Sequence, residues 1–457
     1  MTEVRRLTEG SLWKQILLFA LPLILSNLLQ VFFNMADLIV VGNFAENGAA
    51  ALGCVGSTAN LVFLFTGVLM GLGSGVNVLV ARYLGAGSRR DVSETVHTAA
   101  VVCALFGIGQ MAVCLLAAAP LLRLLGTKPE LFDGALLYLR IYFLGTPALA
   151  VYNFGCGAFS AAGNTKTPLL FMAVSGLVNI ALNLFFVIVM KMDVAGVAIA
   201  SVLSQYLSAA LIVIALRRTG EWITLRWSLL CVIPDKARQI LLIGLPAALQ
   251  NAIFQVANLF IQGGVNTFPA VVVEGNSIAD QANGIVFSTF DAFYVACTSF
   301  MSQNYGAGKK DRVLKSYLVA LSYDLGIAVL LSGLLLLFGR EFLSLFNRDP
   351  EVLEAGLYRL NVMSCAYFFA PIMDCTIAAS RGLGKTMIPT VIVLVGSCLF
   401  RIAWVYTVFA YFHTMISLYL LYIFSWVLTG IAEIIYFRHI WKKLFNSSLQ
   451  TQDVVVE

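Results

Sequence analysis

The chain has 457 residues, 60% of them hydrophobic and 12% charged, with a formal net charge of +5. Soluble domains carry about 25% charged residues and cannot hide this much apolar surface, so a water-soluble fold of this size is excluded. The apolar residues come in runs of about 20, enough to carry a helix across the hydrocarbon core, and the strand-length alternation of a β-barrel is absent.

In chain order the runs predict twelve spanning helices, at residues 12–40, 52–81, 93–119, 132–160, 168–190, 194–216, 237–262, 276–303, 313–339, 352–378, 388–411 and 416–438. Leu17–Leu29 is apolar enough for a signal peptide, but no small-residue cleavage site ends it, so the first run is expected to remain a span. The expected fold is an all-α polytopic membrane protein. Residues 1–218 form a first six-helix lobe, 219–236 a cytoplasmic linker, 237–445 a second lobe and 446–457 a cytoplasmic tail.

Orientation follows from the basic residues in the connectors. The N-terminus and every second connector after it hold twenty-one Lys and Arg, Arg5 and Arg6 among them. The opposite connectors hold five: Arg123, Lys128, Lys191, Arg340 and Arg348. Both termini are therefore expected in the cytoplasm.

The two halves repeat. Gln15-Ile-Leu-Leu-x-x-Leu-Pro22 recurs as Gln239-Ile-Leu-Leu-x-x-Leu-Pro246, and Asn27 and Asn34 recur as Asn251 and Asn258. Gly85-Ala-Gly87 recurs as Gly306-Ala-Gly308, and Gly163-x-Thr165-x-x-Pro168 as Gly384-x-Thr386-x-x-Pro389. Matching order and near-constant offset predict parallel repeats about an axis along the membrane normal.

Polar residues inside spans carry the chemistry, because an ionisable side chain there is costly and persists where it has a partner or faces water. Asp37 ends a stripe of Asn27, Gln30, Asn34 and Asp37 on one helix face. The seventh span has a matching stripe of Asn251, Gln255, Asn258 and Gln262. Such stripes either line an aqueous path or glue helices together; the spacing leaves both readings open. Asn153 on the fourth span and Asn179 and Asn183 on the fifth complete an expected cation-binding set around Asp37. Secondary cation or substrate candidates are Asp374, Gln255, Asn258, Gln262, Asn34 and Ser201. Asp280 reads as a first-turn acid, Asp291 and Asp324 as weaker span acids, and Arg401 with Glu433 as a structural pair. Pro22 and Pro246 remove a backbone hydrogen bond from their helices, which makes Pro22 a candidate hinge for the stripe beyond it.

Nine scattered cysteines without a C-x-x-C pair and three separated histidines predict neither a disulfide framework nor a metal centre, apart from Na⁺ at Asp37. Gly382-Leu-Gly384-Lys385-Thr386 mimics the end of a phosphate-binding loop. It lacks the earlier glycine, since Ala379 stands there, and it follows a span rather than a soluble strand. It is expected to be a tight turn, and no ATP-driven chemistry is expected.

These residues together resemble the multidrug and toxic compound extrusion (MATE) family. The resemblance lies in Leu21-Pro22, Asp37-Leu-Ile-Val-Val-Gly42, Ala81-x-x-x-Gly85-Ala-Gly87, Gly163-Asn-Thr-Lys-Thr-Pro168 and Gly196-Val-Ala198. It continues in Gly244-Leu-Pro246, Gln303-Asn-Tyr-Gly-Ala-Gly308 and Arg381-Gly-x-Gly-Lys-Thr386, and covers about 12–440. It implies a V-shaped molecule with a central cleft, in the inner membrane of a bacterium. The implied activity is antiport of a small cationic or amphipathic organic compound against H⁺ or Na⁺, by a monomer without cofactor, enzymatic activity or nucleic-acid partner. In the family's DinF-like branch the first span carries an aspartate and the fifth an Asn-x-x-x-Asp pair. Asp37 and Asn179 match, while Asn183 replaces the second acid. The NorM branch has a glutamate near Gln255, and its tenth-span acid lies about one turn from the position of Asp374. The alternative implied by the same superfamily is a flippase for lipid-linked oligosaccharides. It would need a groove rich in arginine, and only Arg140, Arg359 and Arg401 lie in or near spans.

Overall fold

The structure is a computed structural model that describes residues 7–45, 47–220 and 222–450, the last five by backbone alone. Arg5, Arg6 and the tail beyond 450 lie outside the described residues. The helices are α1 Leu12–Phe44, α2 Gly48–Gly85, α3 Arg89–Leu124, α4 Pro129–Phe143, α5 Thr146–Ala161, α6 Lys166–Val189 and α7 Asp193–Arg218. They continue with α8 Pro234–Val265, α9 Ala270–Gly306, α10 Lys310–Ser344, α11 Pro350–Ala366, α12 Ala370–Gly382, α13 Met387–Phe412 and α14 Met415–Gln450. Ten described helices are long and apolar enough to cross a membrane, and twelve spans result if each of two bent pairs counts as one.

Those pairs correct the sequence reading, which had the fourth and tenth spans continuous. α4 and α5 meet at 47°, α11 and α12 at 49°. Pro147 and Pro371 sit in the first turns of α5 and α12. A proline there has no N–H to give the preceding turn, and its ring crowds the carbonyl four residues back. At the first break the Phe143 carbonyl accepts the Thr146 hydroxyl instead, at 2.8 Å.

The repeated glycine motifs are helix stops. Gly87, Gly163, Gly308 and Gly384 all have positive φ, between 68° and 79°. After each, the next N–H reaches back across the last turn: Ser88 to Tyr83 O, Asn164 to Phe159 O, Lys309 to Asn304 O and Lys385 to Ser380 O. This left-handed cap favours glycine. Gly384-Lys385 is thus a capped turn, as expected. The repeats also share a π-helical turn, at Phe185–Val189 in α6 and Val405–Phe409 in α13.

Contacts divide the chain into two compact units. One holds Leu21–Ala252; the other holds Leu7–Ala20 and the chain from Ile253 onward. The boundaries fall inside α1 beside Pro22 and inside α8 beyond Pro246.

In the first unit, glycines set the packing. A Cβ on Gly157 of α5 would lie 2.5 Å from the Gly73 carbonyl of α2, and one on Gly75 2.7 Å from the Ile240 carbonyl of α8. Small residues let membrane helices approach this closely. One apolar cluster gathers Leu72, Val76, Val96, Phe154 and Ile212. Another joins Val40 and Val41 to Cys54, Cys114, Tyr138 and Phe143. In the second unit, Arg312 holds the segment before α1 through the carbonyls of Leu7, Glu9 and Gly10.

Candidate functional site

The site grows from a seam between α1 and α6. The Ser26 hydroxyl meets Met172 Sδ at 3.0 Å. One turn and more along, the Phe33 ring lies where a Cβ of Gly176 would stand. At the end of the seam the Asn183 amide donates to Asp37 Oδ1 at 2.5 Å. Its other N–H goes to Asn179 Oδ1 at 3.3 Å. Residues 172, 176, 179 and 183 share one helix face, so the glycine that lets α1 approach also fixes the reach from Asn183 to the carboxylate.

Asn179 and Asn183 are buried, and Asp37 is half-buried. Among the described residues Asp37 has no Lys, Arg or His partner. Asn183 Oδ1 is buried and accepts nothing. A carboxylate beside an orphaned amide oxygen suits a hard cation or a proton, both of which take oxygen partners. The donor set is small, with one carboxylate and one free amide oxygen.

Two residues that the sequence reading did not single out lie nearby. Tyr138 and Tyr142 of α4 lie within electrostatic range of Asp37. Their rings stack at 5.9 Å. Their spacing of four in the first half of a proline-broken span was the available signal.

Other expected members are elsewhere. Asn153 donates to the Leu149 carbonyl of its own helix at 2.9 Å and makes no bond to Asp37. Asn34 is exposed and accepts from Gln30 at 3.2 Å. Ser201 is buried in α7, and the bond there runs from the Ser204 hydroxyl to the Ser201 carbonyl. The stripe on α8 divides: Asn251 is glue, donating to the Gly67 carbonyl of α2 at 3.0 Å. Gln262 is exposed and bonds Asn266 at 2.9 Å, Asn258 is exposed and Gln255 half-buried. Pro22 is buried within α1, which stays helical through it.

The second unit holds the remaining acids. Asp280 lies well inside α9 and pairs with Arg359 at 2.5 Å, so it is not a first-turn acid. Asp324 is fully buried; Cys375 Sγ lies 3.3 Å from its Oδ2, and its Oδ1 has no partner. Asp374 is half-buried, within electrostatic range of Asp291, Arg381 and Arg401. The expected Arg401–Glu433 pair does not form. Arg401 donates to Ser425 at 3.0 Å and lies 4.8 Å over the Tyr422 ring. Glu433 is instead within electrostatic range of Arg381.

Comparison with known proteins decides the family. The MatE family model matches residues 22–185 and again residues 246–407. The chain belongs to the MatE family. The two matches start at Pro22 and Pro246, the positions related by the sequence repeat. This MatE protein is 27% identical to the probable multidrug resistance protein YpnP of Bacillus subtilis, over 79% of this chain and 80% of that one. It is 25% identical to the probable multidrug resistance protein NorM of Thermotoga maritima, over 94% and 91%. The fold matches that of a MOP superfamily transporter from Pyrococcus furiosus with a TM-score of 0.89, at 20% identity, over 97% of this chain and 99% of that one. The chain is thus a multi-pass membrane transporter of the MatE family and not an enzyme.

Proposed function

We propose that this MatE protein is a secondary active antiporter that exports small cationic or amphipathic organic compounds in exchange for a cation. The observation that carries the reading is the Asn183–Asp37 bond. It joins two spans through a membrane carboxylate that has no basic partner among the described residues. Loading that carboxylate with a cation removes the acceptor charge that draws Asn183, and so changes the tie between α1 and α6. Pro22 gives α1 a place to bend in response. The small donor set favours H⁺ over Na⁺, since a bound metal ion needs more oxygens than Asp37 and Asn183 offer. The relatives' multidrug names support an organic substrate. Their bacterial sources and the connector charges support an inner-membrane protein with cytoplasmic termini. On this reading it works as a monomer by alternating access of its repeat halves.

The flippase alternative loses two of its three arginines, and Arg140 alone does not make an arginine-rich groove. Arg359 is buried and paired with Asp280, and Arg401 is buried among aromatic rings, so neither is available to a polyanionic headgroup.

Purified protein in liposomes tests the reading. Imposed pH and sodium gradients are varied separately while export of a panel of dyes and drugs is followed. Export driven by the pH gradient alone is expected; substrate movement indifferent to both gradients rules out the antiport.

A further inference from the structure

We propose that a basic cavity at the end of α7 binds the phosphate of an anionic phospholipid headgroup. The cavity has a volume of about 630 Å³ and is lined by Arg217, Arg218, Arg226, Thr224, Trp227 and Ser228. A smaller hollow of about 270 Å³ shares Arg217 and Arg218 and adds Ile214, one turn further into the span.

The connector that makes this cavity is folded onto the first unit rather than strung across it. Ile223 and Leu225 are buried in the cluster that holds Leu216 and Ile240. The Leu225 N–H donates to the Leu216 carbonyl at 3.1 Å. The Arg226 N–H donates to His97 Nε2 at 3.0 Å, while His97 Nδ1 lies 2.7 Å from the Ser93 carbonyl. That carbonyl can only accept, so Nδ1 carries the proton and Nε2 is left to receive Arg226. His97 is 1% exposed, which makes this bond a fixed anchor. The arginines on either side of the turn are therefore placed before any ligand arrives.

Their charge is not neutralised locally. No described carboxylate pairs with Arg217, Arg218 or Arg226. Between 217 and 233 the sequence has three arginines and one acid, Glu221, which lies outside the described residues, so a net positive charge remains with it counted. Guanidinium groups match phosphate oxygens in bidentate fashion, and basic pockets beside spans suit anionic headgroups. Apolar surroundings select a lipid over free phosphate. Trp227, Leu229, Val232 and Ile214 are exposed. Arg217 lies 5.4 Å over the Trp227 ring, an amphipathic pairing suited to the membrane interface.

Delipidated full-length protein in detergent, titrated with phosphatidylglycerol or phosphatidylcholine and read by native mass spectrometry, tests this site. Wild type is expected to prefer phosphatidylglycerol. Each removed arginine costs about fivefold in that preference, and the triple variant R217Q/R218Q/R226Q shows none. R226Q alone keeps the backbone bond to His97 and still loses about fivefold, which separates the effect from misfolding. R340Q, on the exposed face near the end of α10, retains the preference. Millimolar inorganic phosphate is expected to leave lipid binding unchanged. Equal binding of both lipids by wild type, undiminished preference in the triple variant, or full displacement by inorganic phosphate would each overturn the proposal.

Discussion

Replacing Gly157 by alanine places a methyl group 2.5 Å from the Gly73 carbonyl oxygen. Real Cβ atoms do not approach closer than 3.0 Å, so α5 must move from α2 by at least 0.5 Å. The obstacle is helix backbone, which has no rotamer to change. The seam is reciprocal, because a Cβ on Gly73 would lie 2.9 Å from the Asn153 carbonyl. Overpacking of this kind costs about 1–3 kcal/mol. The control is Gly326→Ala in α10, where the added methyl meets nothing within 4 Å; it is expected to be neutral or to stabilise by up to about 1 kcal/mol. Unfolding in mixed micelles by titrated dodecyl sulfate, followed by far-ultraviolet circular dichroism, reads both. Equal stability of the two variants would refute glycine-determined packing of α2 on α5.

Three further outcomes follow from other contacts. Asp91→Asn removes the charge 2.5 Å from Lys236; the Asp91 side chain is 38% exposed and Lys236 keeps its place 3.9 Å over the Tyr83 ring, so thermal unfolding should show a loss of up to about 1 kcal/mol. Gly384→Ala forces a Cβ into a residue with φ of 75° and should destabilise by about 1 kcal/mol, whereas activity in nucleotide-binding assays should be absent in both forms. Pro22→Ala restores an N–H within α1 and should leave the fold at least as stable while slowing gradient-driven export several-fold; unchanged export would remove Pro22 from the mechanism.

Much of the fold was legible because it rests on one-dimensional signals. Apolar run length marks spans, and the offset between Pro22 and Pro246 marks the repeat. The recurrent glycines were visible as motifs, and their positive φ explains why the motif recurs. The bent spans were missed because hydropathy is blind to direction; Pro147 and Pro371 held the information. The neighbourhood of Asp37, Asn179 and Asn183 was legible because polar residues inside an apolar span are rare enough to stand out. Asn153 was misplaced because helical spacing gives a face but not the rotation of one helix against another. The same limit hid Tyr138 and Tyr142, and it suggested a partnership of Arg401 with Glu433 that the packing of Arg401 against Tyr422 forecloses. The docked connector at His97 was illegible, since a lone histidine in a span end carries no sign of the backbone N–H it will receive.

The most direct measurement compares wild type with Asp37→Asn in liposomes at equal, verified folding. An asparagine nearly matches the aspartate in size but carries no charge and takes up no proton. Export driven by an imposed ion gradient should vanish in the variant while its circular dichroism and elution profile stay as in wild type. Full driven export without that carboxylate would contradict the account.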